Sequence, residues 1–369
     1  MRDKTGLVVR TLRQRIESGL YPDGSALPAE RLLMAEFSLS RTTIRRGLAE
    51  LSHSGLVKSQ AGIGSFVCRP AGTAAGAESG TRALLLVVPT LSDPYYGELL
   101  KAIEHEARRS GLSLIAAQSD YSSEAESRML AAAARDAVTH GAIVVPTAVT
   151  AATSGAGAFA AAGKPLVYLG RWPGAGAPVA DSIGPDYRQA ARQATSHLLE
   201  RGHRRIAYVE GLPNLPGFSP GDGYRAALAE VSIDSDPELV RILDLPSEEA
   251  GAEAIAALLA SRVRFTAVLA RNDVTAAGVI RALRAAGLKV PSDVAVAGIN
   301  NSLLARSIDP PLTSVDTFPQ VVGRMAVRLL QDRLDGTTTA PPLHVSVGSA
   351  LIVRQSTLGS LADGRRRRD

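Results

Sequence analysis

Residues 27–51 read LPAERLLMAEFSLSRTTIRRGLAEL and decide the fold of the amino-terminal part. Pro28 favours the first turn of a helix, where its missing N–H costs no hydrogen bond, and this helix is predicted to run to about Phe37. After a short turn, Ser40 can cap a second helix by accepting a backbone N–H from its first turn. The second helix has apolar residues at the spacing of one buried stripe, namely Ile44, Leu48 and Leu51. The stretch therefore predicts two helices joined by a tight turn.

The first turn of the second helix carries Arg41, Thr42 and Arg45 away from the apolar stripe. In a helix-turn-helix the second helix enters the major groove and presents its amino-terminal residues to base edges. An arginine can form two hydrogen bonds with guanine, and a threonine can contact a phosphate or the thymine methyl group. Each residue taken alone could be a solvated surface group, but their position on one turn favours DNA recognition.

A hairpin is predicted directly after these helices. Residues 56–59 and 65–68 have the pattern of short strands, and the tip at 61–64 contains two glycines. Because glycine permits positive φ and close backbone approach, this tip is consistent with a wing that lies against the minor groove or the phosphates. Lys58 and Gln60 are further candidates for DNA contact.

Several motifs of this region closely resemble the winged-helix domain of GntR-type transcriptional regulators. The resemblance covers nearly all of residues 5–68 and is carried by YPDG (21–24), LPAER (27–31), FSLSRTTIR (37–45), Gly55 and GIGSFV (62–67). It implies that residues of both helices and of the wing contact operator DNA, namely Arg31, Arg41, Thr42, Thr43, Arg45, Gly62 and Gly64. It also implies a homodimer on a palindromic site.

The positive charge of the chain is concentrated in this head. The formal net charge is +5; residues 1–70 hold 11 Lys and Arg against 6 Asp and Glu, and the rest of the chain holds 30 of each. A basic head on a near-neutral body is typical of a nucleic-acid reader with a separate sensing domain, because phosphate contacts need local positive charge. A basic face without a function would give the same count. Four arginines at 365–368 lie in a tail that is expected to be disordered and to add nonspecific attraction to DNA.

Length and composition exclude several classes of protein. The chain has 369 residues, 45% apolar and 21% charged, which is typical of a globular protein with two or three domains. No aliphatic run approaches the roughly 20 residues of a membrane span, and the amino terminus lacks the apolar core of a secretory signal. A cytoplasmic protein without a transmembrane helix is therefore expected.

The motifs of enzymes and metal sites are missing or incomplete. The single cysteine, Cys68, cannot form an internal disulfide, and no Cys/His spacing resembles a zinc site. The sequence GFSPG at 217–221 matches the G-x-S-x-G pattern of hydrolases, whose oxyanion hole uses the N–H of the residue after the serine. That residue is Pro220, which has no N–H. No enzymatic activity, metal or cofactor is therefore expected.

The body of the chain alternates continuous aliphatic strands with helical segments. Strands are predicted at 83–89, 112–117, 142–146, 165–170, 205–210, 267–270 and 294–299, and helices at 96–110, 187–201 and 273–286. This pattern predicts parallel βαβ units and hence a doubly wound α/β domain large enough for two lobes. The predicted division is a winged helix-turn-helix at 1–69, a flexible linker at 70–81, an effector-binding and dimerisation domain at 82–357 and a basic tail at 358–369.

Polar and aromatic residues follow several of these strands. In open parallel sheets, ligands bind outside the carboxyl ends of the strands. Amides and carboxylates can bond hydroxyl groups there, and aromatic rings can stack on the apolar face of a sugar. The candidates are Asp93, Tyr95, Tyr96, Gln118, Asp120, Arg171, Trp172, Asn272, Asp273, Asn300 and Asn301. Helix capping is the alternative interpretation for Asp273 and for Asp186 with Gln189.

The body resembles the LacI-type effector domain, which is itself similar to periplasmic sugar-binding proteins. The resemblance spans about residues 82–357 and is carried by SDPYY (92–96), RGHRRI (201–206), ND (272–273), AG (277–278), GLKVPSDV (287–294), GINN (298–301) and PPLTSV (310–315). This head with this body resembles the arabinose-repressor subgroup. The resemblance implies a repressor that a small molecule, most simply a sugar or a sugar derivative, releases from its operator.

Two positions depart from that resemblance. LacI-type proteins usually carry an aspartate where Asn300 stands and an arginine where Pro220 stands, so the contents of the cleft can differ from those of the family. A solute-binding transport protein with a basic extension is the alternative that the body alone would allow. The basic head and the absence of a signal sequence argue against it.

Overall fold

The computed structural model describes residues 4–17, 21, 25–53, 56–60, 64–67, 82–147, 154–170, 177–211 and 220–359. The chain divides into two units, Met1–Gly80 and Thr81–Asp369. The predicted linker at 70–81 and the arginines at 365–368 lie outside the described residues.

The described residues of the first unit form three helices and a two-stranded antiparallel hairpin. The helices are α1 (Lys4–Glu17), α2 (Glu30–Phe37) and α3 (Arg41–His53), and the strands are β1 (Val57–Gln60) and β2 (Gly64–Val67). The predicted stripe of α3 is confirmed: Ile44, Leu48 and Leu51 are 0%, 5% and 0% exposed. These residues form one apolar core with Val8 and Leu12 of α1 and Leu33 of α2.

The second unit alternates strands and helices along its whole length. Its first half contains β3 (Ala83–Val88), α4 (Pro94–Arg109), β4 (Ser113–Gln118), α5 (Ser123–Arg135), β5 (Thr139–Val144), α6 (Ser154–Ala161), β6 (Leu166–Leu169), β7 (Asp181–Pro185), α7 (Tyr187–Glu200) and β8 (Ile206–Gly211). Its second half contains α8 (Pro220–Glu230), β9 (Val240–Leu243), α9 (Glu248–Ala260), β10 (Ala267–Ala270), α10 (Asp273–Ala285), β11 (Ala295–Asn300), α11 (Leu303–Ser307), β12 (Thr313–Asp316), α12 (Pro319–Leu334), β13 (His344–Val347) and β14 (Ala350–Ile352).

These strands form two six-stranded sheets, each the centre of one lobe. The sheet of the amino-terminal lobe has the order β13-β7-β6-β5-β3-β4 and is parallel throughout. The sheet of the carboxyl-terminal lobe has the order β14-β12-β11-β10-β8-β9, in which only β14 is antiparallel. The chain passes between the lobes after β7, after β12 and after β13. The predicted doubly wound α/β architecture is confirmed.

The strands are apolar along their length because helices cover both faces of each sheet. In β3, Leu84 and Leu86 pack into one core and Leu85 and Val87 into another, on the opposite face. Continuous apolar sequence is what such doubly covered parallel strands require. In each sheet the strand order reverses beside the first strand, between β3 and β5 and between β8 and β10, and the carboxyl ends open there into a crevice.

Candidate functional site

The first turn of α3 exposes the two arginines predicted to read DNA. The side chains of Arg41 and Arg45 are 65% and 64% exposed, while Ile44 between them is fully buried. Ser40 caps the helix as predicted, because its Oγ accepts the backbone N–H of Thr43 at 3.3 Å. The cap fixes where α3 begins and therefore which residues its first turn presents.

Glu30, at the start of α2, holds both arginines in one arrangement. Its two carboxylate oxygens accept hydrogen bonds from Arg41 Nε at 2.8 Å and from Arg45 Nε at 3.0 Å. The bond from Arg41, followed by that from Arg45, lowers the pKa of Glu30. Because each arginine uses Nε for Glu30, its terminal nitrogens remain the donors for a base or a phosphate. Sequence reasoning missed Glu30, although it stands in the LPAER motif.

The other predicted DNA contacts are spread over α2, α3 and the hairpin. Arg31, Thr42 and Lys58 are exposed. Thr43 is half-buried, and its Oγ1 lies 2.9 Å from Ser40 Oγ. In the hairpin, Gln60 and Gly64 are paired across the two strands, and Gly62 lies outside the described residues.

A cleft lies where the carboxyl ends of the two sheets of the second unit meet. The amino-terminal lobe contributes Asp93, Tyr95, Tyr96, Leu99, Tyr121, Val145, Leu169, Gly170 and Val322, and the carboxyl-terminal lobe contributes Tyr187, Pro220, Pro246, Arg271, Asn272 and Asn300. Of the predicted ligand-binding residues, Asp93, Tyr95, Tyr96, Asn272 and Asn300 are thus brought together.

Asp93 and Asn272 join the two lobes across this cleft. Asn272 Nδ2 donates a hydrogen bond to Asp93 Oδ2 at 3.2 Å. Each residue also caps a helix: Asp93 Oδ1 accepts the N–H of Tyr95 at 2.9 Å, and Asn272 Oδ1 accepts that of Thr275 at 2.9 Å. Burial raises the pKa of Asp93, and the hydrogen bond from Tyr95 and the charge of Arg271 offset part of this effect. Both side chains are therefore held in place by helix starts.

The predicted helix cap at Asp273 is wrong, because the cap of α10 is Asn272. Asp273 is 1% exposed and belongs to the interior of the carboxyl-terminal lobe. Its carboxylate accepts the N–H of Ser302 at 2.6 Å and the hydroxyl of Ser314 at 2.5 Å. Burial raises the pKa of Asp273 to about 7. The capping interpretation of Asp186 is confirmed, since its Oδ1 accepts the N–H of Gln189 at 2.8 Å.

Four tyrosines give the cleft aromatic walls. Tyr95 and Tyr96 are in edge contact, with ring centroids 5.3 Å apart and planes at 71°. Tyr187 hydrogen-bonds Tyr95 from the opposite lobe, and burial raises the pKa of Tyr95 well above its ordinary value. Tyr121 lines the same space. Neutral tyrosines offer both a flat apolar face and a hydroxyl to a ligand.

Gln118 and Asp120 lie beside the cleft but do not line it. Gln118 Oε1 accepts the N–H of Leu91 at 2.7 Å, and Gln118 Nε2 donates to Asp120. The two side chains therefore stabilise the loops that follow β3 and β4. Arg171 and Trp172, predicted beside the cleft, lie outside the described residues.

Asn300 ends β11 and Asn301 follows it, and their φ angles are positive, at 104° and 50°. Asn300 lines the cleft, and its Oδ1 accepts the hydroxyl of Thr317 at 3.3 Å. Asn301 instead bonds Asp316 at 2.8 Å and Arg354 at 2.6 Å. A φ of 104° is costly for a residue other than glycine, and such strain clusters at ligand sites. Of the two asparagines, only Asn300 faces the cleft.

Pro220, named from the resemblance as a position of the cleft, lines it, whereas Tyr121, Tyr187, Pro246 and Arg271 were not predicted as lining residues. Arg271 stands immediately before Asn272 at the end of β10, so its position after a predicted strand was a usable signal. Tyr187 follows β7, a strand that the sequence pattern did not predict. The position of Tyr187 in the cleft could therefore not be predicted from the strand pattern.

Neither a membrane span nor a metal cluster is found in the part of the chain that the structure describes. No helix there has both the length and the apolar character needed to cross a bilayer. No three His, Cys, Asp or Glu side chains of the described ranges are grouped to hold a metal ion.

Comparison with known proteins gives matches for both units. Residues 5–67 match the family of bacterial regulatory proteins of the gntR type, and residues 195–357 match the periplasmic binding protein-like domain. The HTH-type transcriptional regulator CelR of Thermobifida fusca is 38% identical over 196 residues, which are 53% of this chain. The match spans 57% of the length of CelR.

Two solved structures share the fold. A putative LacI-family regulator from Sanguibacter keddieii is 30% identical with a TM-score of 0.67, over 75% of this chain and 98% of that one. A complex of the transcriptional regulator CelR with cellobiose is 26% identical with a TM-score of 0.67, over 89% of this chain and 100% of that one. The chain therefore belongs to the HTH-type transcriptional regulators in which a GntR-type head precedes a LacI-type, periplasmic-binding-protein-like domain.

Proposed function

We propose that this protein is a homodimeric transcriptional repressor whose head binds a palindromic operator and whose cleft binds a sugar or sugar derivative. The observation that carries the proposal is that one chain holds two exposed arginines on the first turn of a helix-turn-helix and a cleft of carboxylate, amide and tyrosine side chains. The match of residues 5–67 supports regulation over the alternative of a solute-binding transport protein.

DNA recognition is assigned to the first turn of α3 and to the wing. Arg41 and Arg45 can each pair with a guanine or a phosphate, while Arg31, Thr42, Thr43 and Gln60 and the glycines of the wing position the head on the duplex. Glu30 bonds both guanidinium groups and so orders them in the absence of DNA.

Sugar binding is assigned to the cleft for chemical reasons. Asp93 and Asn300 offer oxygens and Asn272 offers an amide to hydroxyl groups, and the tyrosines cover an apolar face. The CelR structure with cellobiose supports a carbohydrate as the class of ligand. A sugar that bridges Asp93 and Asn272 would change the contact that joins the two lobes.

Sugar binding in the cleft is coupled to operator binding by the head if the sugar favours one arrangement of the lobes over another. A ligand shifts such an equilibrium only by its difference in affinity for the two states, commonly about 1 to 3 kcal/mol between two sites. In this proposal the sugar-bound arrangement fits the operator less well, and transcription is released.

The DNA assignment is tested by measuring operator affinity of full-length variants. Arg41→Ala and Arg45→Ala should each cost about 1 to 3 kcal/mol on the selected operator and relax its sequence preference. Arg13→Ala, which changes an exposed arginine of α1, is the matched control for loss of one charge. If all three variants lost the same amount of operator affinity, Arg41 and Arg45 would contribute only nonspecific electrostatic attraction to DNA.

The cleft assignment is tested with Asn272→Ser. Serine retains the cap of α10 but removes the amide that reaches Asp93, so the fold should persist while the response of DNA binding to sugar is lost. The response is measured as the change in operator affinity on adding the sugar. A variant that responds like the wild type would exclude Asn272 from the mechanism.

A further inference from the structure

Among the described residues, Arg271 supplies the guanidinium group that lines the wall of the cleft on the carboxyl-terminal lobe. We propose that Arg271 determines the specificity of the cleft by pairing with two neighbouring hydroxyl groups of an uncharged sugar, and that Gly211 is a positioning residue that leaves room for the side chain of Arg271. This inference rests on the proposed function of the cleft and narrows its class of ligand.

The register of two parallel strands puts Arg271 beside Glu210. β8 and β10 pair Tyr208 with Leu269 and Val209 with Ala270, so the next positions at the carboxyl edge are Glu210 and Arg271. The backbone N–H of Arg271 donates to Val209 at 2.9 Å, which continues the ladder to this point. Both side chains therefore leave the sheet at the edge where the cleft opens.

Gly211 leaves the space that the side chain of Arg271 occupies. A Cβ at position 211 would lie 2.2 Å from Arg271 Cδ and 2.6 Å from Arg271 Nε. The φ of Gly211 is not positive, so alanine is compatible with the backbone there. The substitution Gly211→Ala thus displaces the guanidinium without altering it.

The charges around Arg271 favour uncharged hydroxyl groups over an anion. Arg271 lies in the electrostatic range of two carboxylates, Asp93 on the opposite lobe and Glu210 on the neighbouring strand. Glu210 also faces Arg225 and Asp222, and it accepts the backbone N–H of Gly221. An anionic ligand would enter next to the carboxyl groups of Asp93 and Glu210, which oppose a negative charge there.

The geometry of a guanidinium group suits this role. The side chain of Arg271 lines the cleft, and its Nε and Nη1 are shielded from solvent. A planar group with several N–H donors can bond two adjacent oxygens at once, which a lysine ammonium group cannot do with the same geometry. Asn272 beside it and Asp93 on the opposite lobe line the same cleft and offer further hydrogen bonds.

The test is the affinity of full-length protein for defined sugars, measured by calorimetry. The uncharged probes are glucose, ribose and cellobiose, and the anionic counterparts are glucuronate and glucose 6-phosphate. We expect at least one uncharged probe to bind, and its Kd to rise about 10- to 100-fold in Arg271→Ala and in Gly211→Ala. Arg271→Lys should also weaken binding, because lysine keeps the positive charge but lacks the planar set of N–H donors that can bond two oxygens at once.

Two controls separate specificity from folding. Arg281→Ala changes an arginine of α10 that bonds Glu248 at 2.8 Å away from the cleft, and it should bind the probe like the wild type. Adding Gly211→Ala to Arg271→Ala should cause no further loss, because the glycine acts only through the arginine. Circular dichroism of each variant monitors the fold.

The outcomes that overturn the proposal are distinct. If the wild type binds an uncharged probe and the Arg271→Ala and Gly211→Ala variants bind it equally well, Arg271 is not the selecting residue, while the proposed function stands. If an anionic counterpart binds more tightly than its uncharged partner, the assigned class of ligand is wrong. If the wild type binds none of the probes, the sugar-binding function itself fails, and this inference fails with it.

Discussion

Two tyrosines of the carboxyl-terminal lobe stack on each other but differ in hydrogen bonding. The rings of Tyr208 and Tyr224 lie 5.0 Å apart at 21°, and both residues are buried. Tyr224 Oη donates to the carbonyl oxygen of Ile206 at 2.8 Å, whereas Tyr208 Oη has no hydrogen-bond partner among the described residues. Only one of the two hydroxyl groups therefore stabilises the fold.

This difference predicts opposite results for the same chemical change. Tyr224→Phe should lower the free energy of unfolding by about 0.5 to 1.5 kcal/mol, because it removes a made hydrogen bond. Tyr208→Phe should leave that free energy unchanged or raise it by up to about 1 kcal/mol, because a buried hydroxyl without a partner is costly. Urea unfolding of the two variants checks this, and a larger loss in Tyr208→Phe would contradict it.

Asp273 predicts a pH dependence of stability. Burial raises its pKa from 3.8 to about 7, so between these values the folded state keeps a proton that the unfolded state releases. The contribution of this group to stability is therefore present at low pH and is lost as the pH rises, by up to about 1.4 kcal/mol per pH unit.

Asp273→Asn isolates this effect. The asparagine does not titrate, and its amide can keep both hydrogen bonds, with the N–H of Ser302 and with Ser314. The free energy of unfolding of the variant, measured relative to the wild type at pH 5 and pH 7, should rise with pH. The other buried carboxyl groups are present in both proteins and cancel. A constant difference between the two proteins would show that Asp273 keeps an ordinary pKa.

At single positions, the sequence predicted residues that follow recognisable strands or motifs and missed residues placed by tertiary packing. Asp93 and Asn272 follow strands of clear pattern, and both line the cleft. Tyr187 enters the cleft through a chain crossing that no local pattern marks. Glu30 acquires its role only because α2 packs beside the first turn of α3.

Two glycines in helices of the second unit differ in the space around them. The first, Gly278, lies where α9 and α10 pack together. A Cβ at Gly278 in α10 would lie 1.8 Å from the carbonyl oxygen of Glu248 in α9. The two helices are in backbone contact there. Gly97 in α4 has nothing within 4 Å of the same atom.

Alanine at these two positions should therefore change stability in opposite directions. Gly278→Ala should lower the free energy of unfolding by about 1 to 3 kcal/mol, because α9 must move away. Gly97→Ala should raise it by about 0.5 to 1 kcal/mol, which is the gain in helix propensity without a clash. Thermal and urea unfolding measure both. Stabilisation by Gly278→Ala would mean that the helices are not in close contact.

At the level of elements, long aliphatic strands were predictable and short or polar strands were not. All seven predicted strands are present with bounds that differ by a few residues. β7, β9, β12 and β13 were missed because they have four or five residues and include Asp, Arg, Ser, Thr or His, whereas β14 is apolar but has only three residues. A strand of that length gains its stability from neighbours in the sheet, which a local pattern does not contain.

At the scale of the whole molecule, two edge strands offer a surface for a second copy of the chain. β4 and β9 each end their sheet, and they expose Ile115 at 44% and Ile242 at 65%. Exposed apolar edge strands are sites of association unless another chain covers them. They are the support in this structure for the proposed homodimer.

Ile115→Lys and Ile242→Lys should therefore shift the protein from dimer to monomer in sedimentation velocity at micromolar concentration, because each buries a charge in the proposed interface. Val179→Lys is the control, since Val179 is 83% exposed and lies next to β7, away from both edges. Edge variants that sediment like the wild type would place the dimer contact elsewhere.

In the proposed mechanism, a sugar bound in the cleft lowers the affinity of the head for operator DNA. This mechanism is tested most directly by fluorescence anisotropy of the full-length protein with a selected operator duplex and a shuffled duplex, with and without a sugar that binds. We expect the protein to prefer the operator over the shuffled duplex by at least about 1,000-fold. The sugar should weaken operator binding by about 5- to 150-fold. Equal affinity for the two duplexes, or an operator affinity that a bound sugar leaves unchanged, would contradict it.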